Sequence, residues 1–261
     1  MSLSYEMTLP IDSRDVDGNG FCKASALLGH LQEAATQAAE HGGFGRTMTT
    51  EGYHAFWMLT RVWYRLFRPL RWEEPLTIHT WHRGNRGATM YRDYDLLVQG
   101  EQVGECVSAW VLVDLESRQL LRMSSVSELE GTDGGSLCKD KKLSKLRLPP
   151  SMELAGRRQM CYSDTDLNGH VNNTRYADFA CDALEMEHLG PDRFLAPMQI
   201  GYLAECRPGE ELLLMTGQDG QTYFAQGMDA SGKSRFEAAL IFGDVLPWQA
   251  SQGRGTMKYL K

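Results

Sequence analysis

A polar signature occurs twice in this chain, each time at the head of a helical pattern. Near the N-terminus it reads Asp15-Val16-Asp17-Gly18-Asn19-Gly20-Phe21, and later Asp164-Thr165-Asp166-Leu167-Asn168-Gly169-His170. The aspartates, the Asn and the last Gly match position for position, with Phe21 standing where His170 stands. The first copy leads into Leu27, Leu31, Ala34, Ala35 and Ala38, the spacing of one helical face, stopped by Gly42-Gly43. The second leads into Tyr176, Phe179, Ala180, Ala183 and Leu184, with Asn172 or Asn173 as cap and Gly190-Pro191 as stop. A further match sets Phe67-Arg68-Pro69 against Cys206-Arg207-Pro208. The repeat predicts two copies of one domain, of which only the second keeps an imidazole.

Strand patterns follow each helix. Phe56 to Phe67 runs aromatic and β-branched, and Leu76–Trp81, Thr89–Val98 and Val103–Asp114 follow, punctuated by Gly84, Gly87 and the Gln99-Gly100-Glu101 turn. In the second copy strands are expected near Met198–Glu205, Glu211–Thr216, Thr222–Met228 and Arg235–Phe242. The class is α+β. A sheet with one apolar face must bury it, and a long helix can lie across it. The expectation is two tandem hotdog domains, each a long helix wrapped by a curved antiparallel sheet. Their bounds are 1–123 and 155–247, with a Gly-, Ser-, Lys- and Pro-rich linker at 124–154 and a loose tail at 248–261. The ligand cleft then lies between the copies.

Length and composition set the frame. The chain has 261 residues, enough for two small cores, and its 42% hydrophobic and 23% charged content is that of a globular protein. A formal charge of −7 argues against general nucleic-acid binding. The six cysteines show no C-x-x-C pairing and no zinc spacing, which predicts free thiols in a reducing compartment. No apolar run suits a leader or a membrane span, so a cytoplasmic protein without membrane association is expected. Asp-x-Asp-x-Asn-Gly also opens an EF-hand loop, but the twelfth positions are Ala26 and Arg175 rather than Glu, so calcium is not expected. Asx-turns and caps explain the first copy's polar residues, whereas capping does not require the His of the second.

Asp-x-Asp-x-Asn-x-His-Val-Asn-Asn, with Glu205-Cys206 some thirty residues on, resembles the acyl-acyl-carrier-protein (acyl-ACP) thioesterase family. The resemblance covers almost the whole chain. It implies hydrolysis of fatty acyl-ACP, no cofactor or metal, and a monomer built as a pseudo-dimer, or a homodimer. Lacking a transit peptide, the chain reads as a bacterial-type member. The resemblance also implies that Asp166, Asn168, His170 and Glu205 are catalytic, with Cys206 a nucleophile once proposed for the family. Asp166, Asn168 and His170 alternate by two and would project to one side of an extended loop. Glu205 could activate water from a strand end, His170 could orient the thioester or protonate the leaving thiolate, and helix N–H groups after Gly169 could hold the oxyanion. Attack by Asp166, or by Cys206 with His170 as base, stays open, with Cys206 placed last because a thiol beside Glu is disfavoured as thiolate.

Trp57, Met58 and Trp63, with Tyr64, are candidates for an acyl tunnel, against a core role for at least half of them. His79 and His82 read as structural or exposed, and Arg92-Asp93-Tyr94 as a cross-strand pair. Lys139 to Arg158 holds seven Lys and Arg against Asp140 and Glu153, and Lys141, Lys142 and Lys145 are its candidate docking residues for the acidic carrier protein. Arg83, Arg86 and Arg92 are the second choice for that role. Three other activities remain: an acyl-CoA thioesterase of the wider hotdog superfamily, a hotdog enoyl-thioester hydratase, and a non-catalytic acyl-binding module.

Overall fold

The computed structural model describes residues 4–122 and 143–246. In chain order the first half contains β1 (Tyr5–Pro10), α1 (Ala24–His41), β2 (Ala55–Leu66), β3 (Pro75–Arg86), β4 (Thr89–Val98), β5 (Glu101–Asp114) and the short β6 (Leu120–Leu121). The second contains β7 (Glu153–Gln159), α2 (Arg175–Ala183), β8 (Arg193–Tyr202), β9 (Glu211–Asp219), β10 (Thr222–Met228) and β11 (Ser234–Asp244). The eleven strands among the described residues form one sheet in the order β1-β3-β4-β5-β2-β8-β11-β10-β9-β7, with β6 beside β5. Each half places its first strand outermost and its second innermost. The halves join where β2 pairs antiparallel with β8, Val62 opposite Ile200.

The loop hydrogen bonds repeat as well. Ile11 N–H donates to the Glu74 carbonyl at 2.9 Å and Met160 N–H to that of Glu210 at 2.8 Å. Cys22 N–H donates to the Leu70 carbonyl and Val171 N–H to that of Cys206. Arg71 N–H reaches the Glu74 carboxylate and Arg207 N–H the Glu210 carboxylate, each at 2.9 Å. Arg71 is therefore the counterpart of Arg207. The match of Phe67-Arg68-Pro69 with Cys206-Arg207-Pro208 is out of register, and Pro69 stands where the second copy has Glu205.

The helices lie against the sheet and each other. α1 buries Leu27, Leu28, Leu31, Ala34, Ala35 and Ala38, as its spacing predicts. α2 buries Tyr176, Ala177, Phe179 and Ala180 but has only nine residues, so the expectation of a long helix in each copy fails for the second. It stops at Leu184, before Glu185 turns left-handed at φ 51, well ahead of Gly190-Pro191. Asp182 and Glu185 crowd negative charge onto a helix C-terminus, where the dipole disfavours it. The halves do not keep separate cores: one cluster runs from Ile11 through Tyr64 and Phe179 to Leu240. Among the described residues no helix is long and apolar enough to cross a membrane.

Several strand limits move. β1 was not expected, although Tyr5, Met7 and Leu9 alternate with Glu6 and Thr8. β7 begins at Glu153, inside the expected linker, and β8 begins and ends earlier than Met198–Glu205. Of the expected linker, residues 124–142 lie outside the described residues, as does the tail at 248–261.

Candidate active site

The second polar loop is held by Asp164, whose side chain is fully buried. Its Oδ2 accepts the Cys161 N–H at 2.9 Å, and its Oδ1 accepts Nη2 of Arg158 at 3.0 Å and Nε and Nη2 of Arg175 at 3.2 and 3.1 Å. Burial alone would raise this carboxyl. The Cys161 N–H and the two guanidinium groups outweigh burial and hold it below the ordinary value. Asp164 is thus a structural clamp.

From this anchor the chain makes a tight turn rather than an extended run. Gly169 N–H donates to the Asp166 carbonyl at 3.0 Å, Asp166 N–H to the His170 carbonyl at 3.1 Å, and Asn168 N–H to Asp166 Oδ1 at 2.8 Å. Gly169 sits at φ 76, where a side chain would be strained. The turn, not a two-residue alternation, brings Asp166, Asn168 and His170 to one cavity.

The Glu205 segment is tied to this loop by its neighbours. Val171 N–H donates to the Cys206 carbonyl at 2.9 Å, and Arg235 Nη1 to the Glu205 carbonyl at 2.7 Å. Arg235 is itself held by Asp229 through Nε at 2.9 Å. Glu205 lies past the end of β8, in a loop. Its Oε1 is 3.6 Å from His170 Nε2, an ion-pair distance longer than a hydrogen bond.

Asp166, Asn168, His170 and Glu205 all line one cavity of about 630 Å³. Its other walls come largely from the first half and include Ala35, Phe44, Trp57, Met58, Met90 and Trp110. The cavity therefore lies between the halves, with Asp166, Asn168, His170 and Glu205 on the second-half wall and apolar side chains interspersed with polar ones such as Gln32, His82 and Arg92 on the first-half wall. A carbonyl carbon placed beside His170 would have a carboxylate, an imidazole and carboxamides within reach, and its chain would extend along apolar surface.

Other expected residues fall elsewhere. Trp63 is not on the cavity wall. The ladder of β2 and β5 shifts register between Leu59 and Arg61, and this bulge turns Trp63 to the opposite face, against Val107, Ala109 and Leu143. Tyr64 fills the main core. Cys206 is fully buried in that core, and burial pushes its thiol up, which disfavours the thiolate a nucleophile needs. Arg92 is buried on the cavity wall, so it cannot dock a carrier protein. Lys145 is exposed, and Lys141 and Lys142 lie outside the described residues. The N–H groups of Gly169, Asn172 and Thr174 are spent within the loop and that of Val171 on the Cys206 carbonyl, so most of the expected oxyanion donors are occupied.

Asn173, a candidate cap by its position, lines the cavity. Its place in the sequence, next to Asn172, gave no sign of which of the two turns inward. In the first copy Phe21 is buried under the Arg71 guanidinium, 4.8 Å from the ring centroid. Among the described residues no group of three or more His, Cys, Asp or Glu is placed to hold a metal ion.

The chain matches two family models, the acyl-ACP thioesterase N-terminal domain over residues 2–127 and the C-terminal domain over 153–241. It is 24% identical to oleoyl-acyl carrier protein thioesterase 2 of Arabidopsis thaliana over 253 residues, covering 84% of this chain and 68% of that protein. In fold it is similar to an acyl-ACP thioesterase from Bacteroides thetaiotaomicron, with a TM-score of 0.82 and 22% identity over 92% of this chain and 98% of that one. It is also similar to the 12:0-ACP thioesterase from Umbellularia californica, with a TM-score of 0.78 and 21% identity over 94% and 98%. Matched through both halves of its sequence, the chain belongs to the acyl-ACP thioesterase family.

Proposed function

We propose that this protein hydrolyses the thioester of fatty acyl-ACP, releasing a free fatty acid and the carrier protein's thiol, with the chemistry at His170 and Glu205. The observation that carries the reading is the pairing of His170 with Glu205 at 3.6 Å on the wall of a cavity otherwise largely apolar. Glu205 takes a proton from water, and the hydroxide attacks the thioester carbon. The oxyanion is held by carboxamide N–H groups of Asn168 and Asn173. Collapse breaks the carbon–sulfur bond, the thiolate leaves with a proton from His170, and the proton held by Glu205 passes to His170 to restore it. Asp166 orients Asn168 by accepting its backbone N–H. Cys206 has no part in these steps.

The strand order, repeated in each half, supports two hotdog domains spanning about 1–123 and 155–247, the second drawn back to Glu153 by β7. The site belongs to the second, since Phe21 and Pro69 replace His170 and Glu205 in the first. Because β2 and β8 already join the halves, a single chain suffices as the working unit. The carrier protein docks through part of the basic stretch from Lys139 to Arg158, with Lys141, Lys142 and Lys145 as its contacts, and the protein works in the cytoplasm, where the described cysteines stay free. Incubation with acyl-ACP and a thiol reagent tests the activity. Hydrolysis releases thiol and fatty acid together, whereas hydration of an enoyl chain or simple binding releases neither.

A further inference from the structure

An acyl cavity has no evident use for a buried cation, yet this one contains Arg92. The side chain lies on the inner face of β4, between Met90 and Tyr94, and the residue is only 5% exposed. A guanidinium carries five N–H donors and keeps its charge in proteins. Among the described residues no carboxylate pairs with it: Nη1 makes one long hydrogen bond, 3.3 Å, to Thr80 Oγ1. A buried charge with so little compensation is costly, and proteins retain one where a partner arrives.

The surrounding polar groups are already committed. Ser108, directly opposite Arg92 on β5, receives the Trp110 indole N–H at 2.7 Å and shares a hydrogen bond with the Tyr94 hydroxyl at 3.0 Å. Thr80 donates to the Asp93 carbonyl at 2.8 Å. Among the described residues, two buried polar groups of the cavity lining have no hydrogen-bond partner: the Tyr176 hydroxyl on α2 and Gln32 Oε1 on α1. Gln32 lines the main cavity together with Arg92, and a small recess together with Ser108, Tyr94 and Trp110. An unused donor and an unused acceptor therefore line one cavity, Arg92 opposite Ser108 in the ladder and Gln32 beside Ser108 in the recess.

A methylene chain satisfies neither group. A carboxylate would accept from Arg92 but carries no proton for Gln32 Oε1, and a ketone has the same defect. A hydroxyl does both, since its oxygen accepts and its proton donates. We infer that the acyl chain this enzyme prefers carries a hydroxyl group that accepts from Arg92 and donates to Gln32. The inference rests on the thioesterase reading and adds a substrate class to it. A site built to hydrogen-bond a substrate hydroxyl discriminates against the analogue lacking it, because the site's own groups are then left unpaired.

The test compares acyl-ACPs of equal length, unsubstituted and with the hydroxyl moved along the chain, in the wild type, Arg92→Met and Gln32→Leu. At one hydroxyl position the wild type is expected to show kcat/KM at least about tenfold above the plain chain, the worth of one charge-assisted hydrogen bond. Both variants should bring that ratio close to one. If Arg92→Met does not fold, Gln32→Leu decides. Calorimetric Kd values for the matching free hydroxy and plain fatty acids give a second readout that does not depend on turnover. If plain chains are hydrolysed and no hydroxyl position gains in rate or affinity, or if Gln32→Leu keeps the wild-type ratio, Arg92 and Gln32 merely hold water and the inference is overturned. If no thioester is cleaved at all, the thioesterase reading fails, and the fatty-acid Kd values still decide between hydroxyl recognition and a water-filled recess.

Discussion

His170 Nε2 and Glu205 Oε1 lie 3.6 Å apart across two loops that share a backbone hydrogen bond between their adjacent residues, Val171 and Cys206. Glu205 is the more exposed of the two side chains, 40% against 26% for His170. That gap is too long for a good hydrogen bond and suits a pair that closes around substrate or water, as apo catalytic pairs often do. The first copy keeps the same backbone link, Cys22 N–H to the Leu70 carbonyl, but Phe21 and Pro69 flank it and carry no titratable group.

The Asp164 clamp should control acid stability. Its carboxyl is held below the ordinary value near 4, so it adds stability that is fully present above about pH 4 and lost as pH falls through the folded value. Asp164→Asn is expected to lower stability at pH 7 by about 2–3 kcal/mol, because two guanidinium groups lose their buried acceptor. Thermal unfolding from pH 2 to 7 checks this. The variant should show a flatter acid limb than the wild type, and an unchanged limb would remove Asp164 from the clamp.

Trp57 and Trp63 should behave differently despite sharing β2. Trp57→Ala enlarges the cavity and is expected to shift the acyl-length profile toward longer chains. Trp63→Ala empties the opposite face and should cost about 3 kcal/mol of stability with the length profile unchanged. A panel of acyl-ACP lengths alongside denaturant melts separates the two outcomes.

Cys206→Ala is expected to retain at least about a third of wild-type kcat while losing about 1 kcal/mol of stability, the usual result of trimming a buried side chain. Complete inactivation in a variant with wild-type far-UV and near-UV circular dichroism would restore the cysteine as nucleophile.

The contrast between these residues shows what could be read in the chain beforehand. α1, β4 and β10 fall close to where periodicity and Gly turns set them, because each has an uninterrupted pattern between clear stops. Trp63 could not be placed, since a bulge between Leu59 and Arg61 reverses the faces and has no composition of its own. The match of Arg68 to Arg207 failed for a related reason. A triplet containing Arg-Pro is short enough to recur by chance, and only the hydrogen bonds to Glu74 and Glu210 fix Arg71 as the counterpart. The polar loop announced its own turn through Asp, Asn and Gly, but its distance to Glu205 is a tertiary fact. Arg92 read as part of a cross-strand pair because the run Arg92-Asp93-Tyr94 says nothing of the α1 residues, far away in sequence, that line the cavity with it.

Carrier docking through the basic stretch can be isolated from chemistry. Changing Lys141, Lys142 and Lys145 together to Glu is expected to raise KM for acyl-ACP several-fold at low salt. The effect should fade as ionic strength shortens the screening length toward about 10 Å. Hydrolysis of a small acyl thioester without the carrier should not respond. If both substrates respond alike, or neither does at any salt, the stretch serves only as a connection between the halves.

The most direct measurement is simultaneous quantification of free thiol and free fatty acid from acyl-ACP, with the wild type, His170→Ala and Glu205→Ala side by side. Both side chains are partly exposed, so neither change should unfold the protein. The expected result is one thiol per fatty acid in the wild type, with kcat lowered by about a hundredfold or more in each variant, the usual worth of a positioned acid or base. Near-normal turnover in either variant, or a wild type that releases no thiol, would contradict hydrolysis at the His170–Glu205 pair.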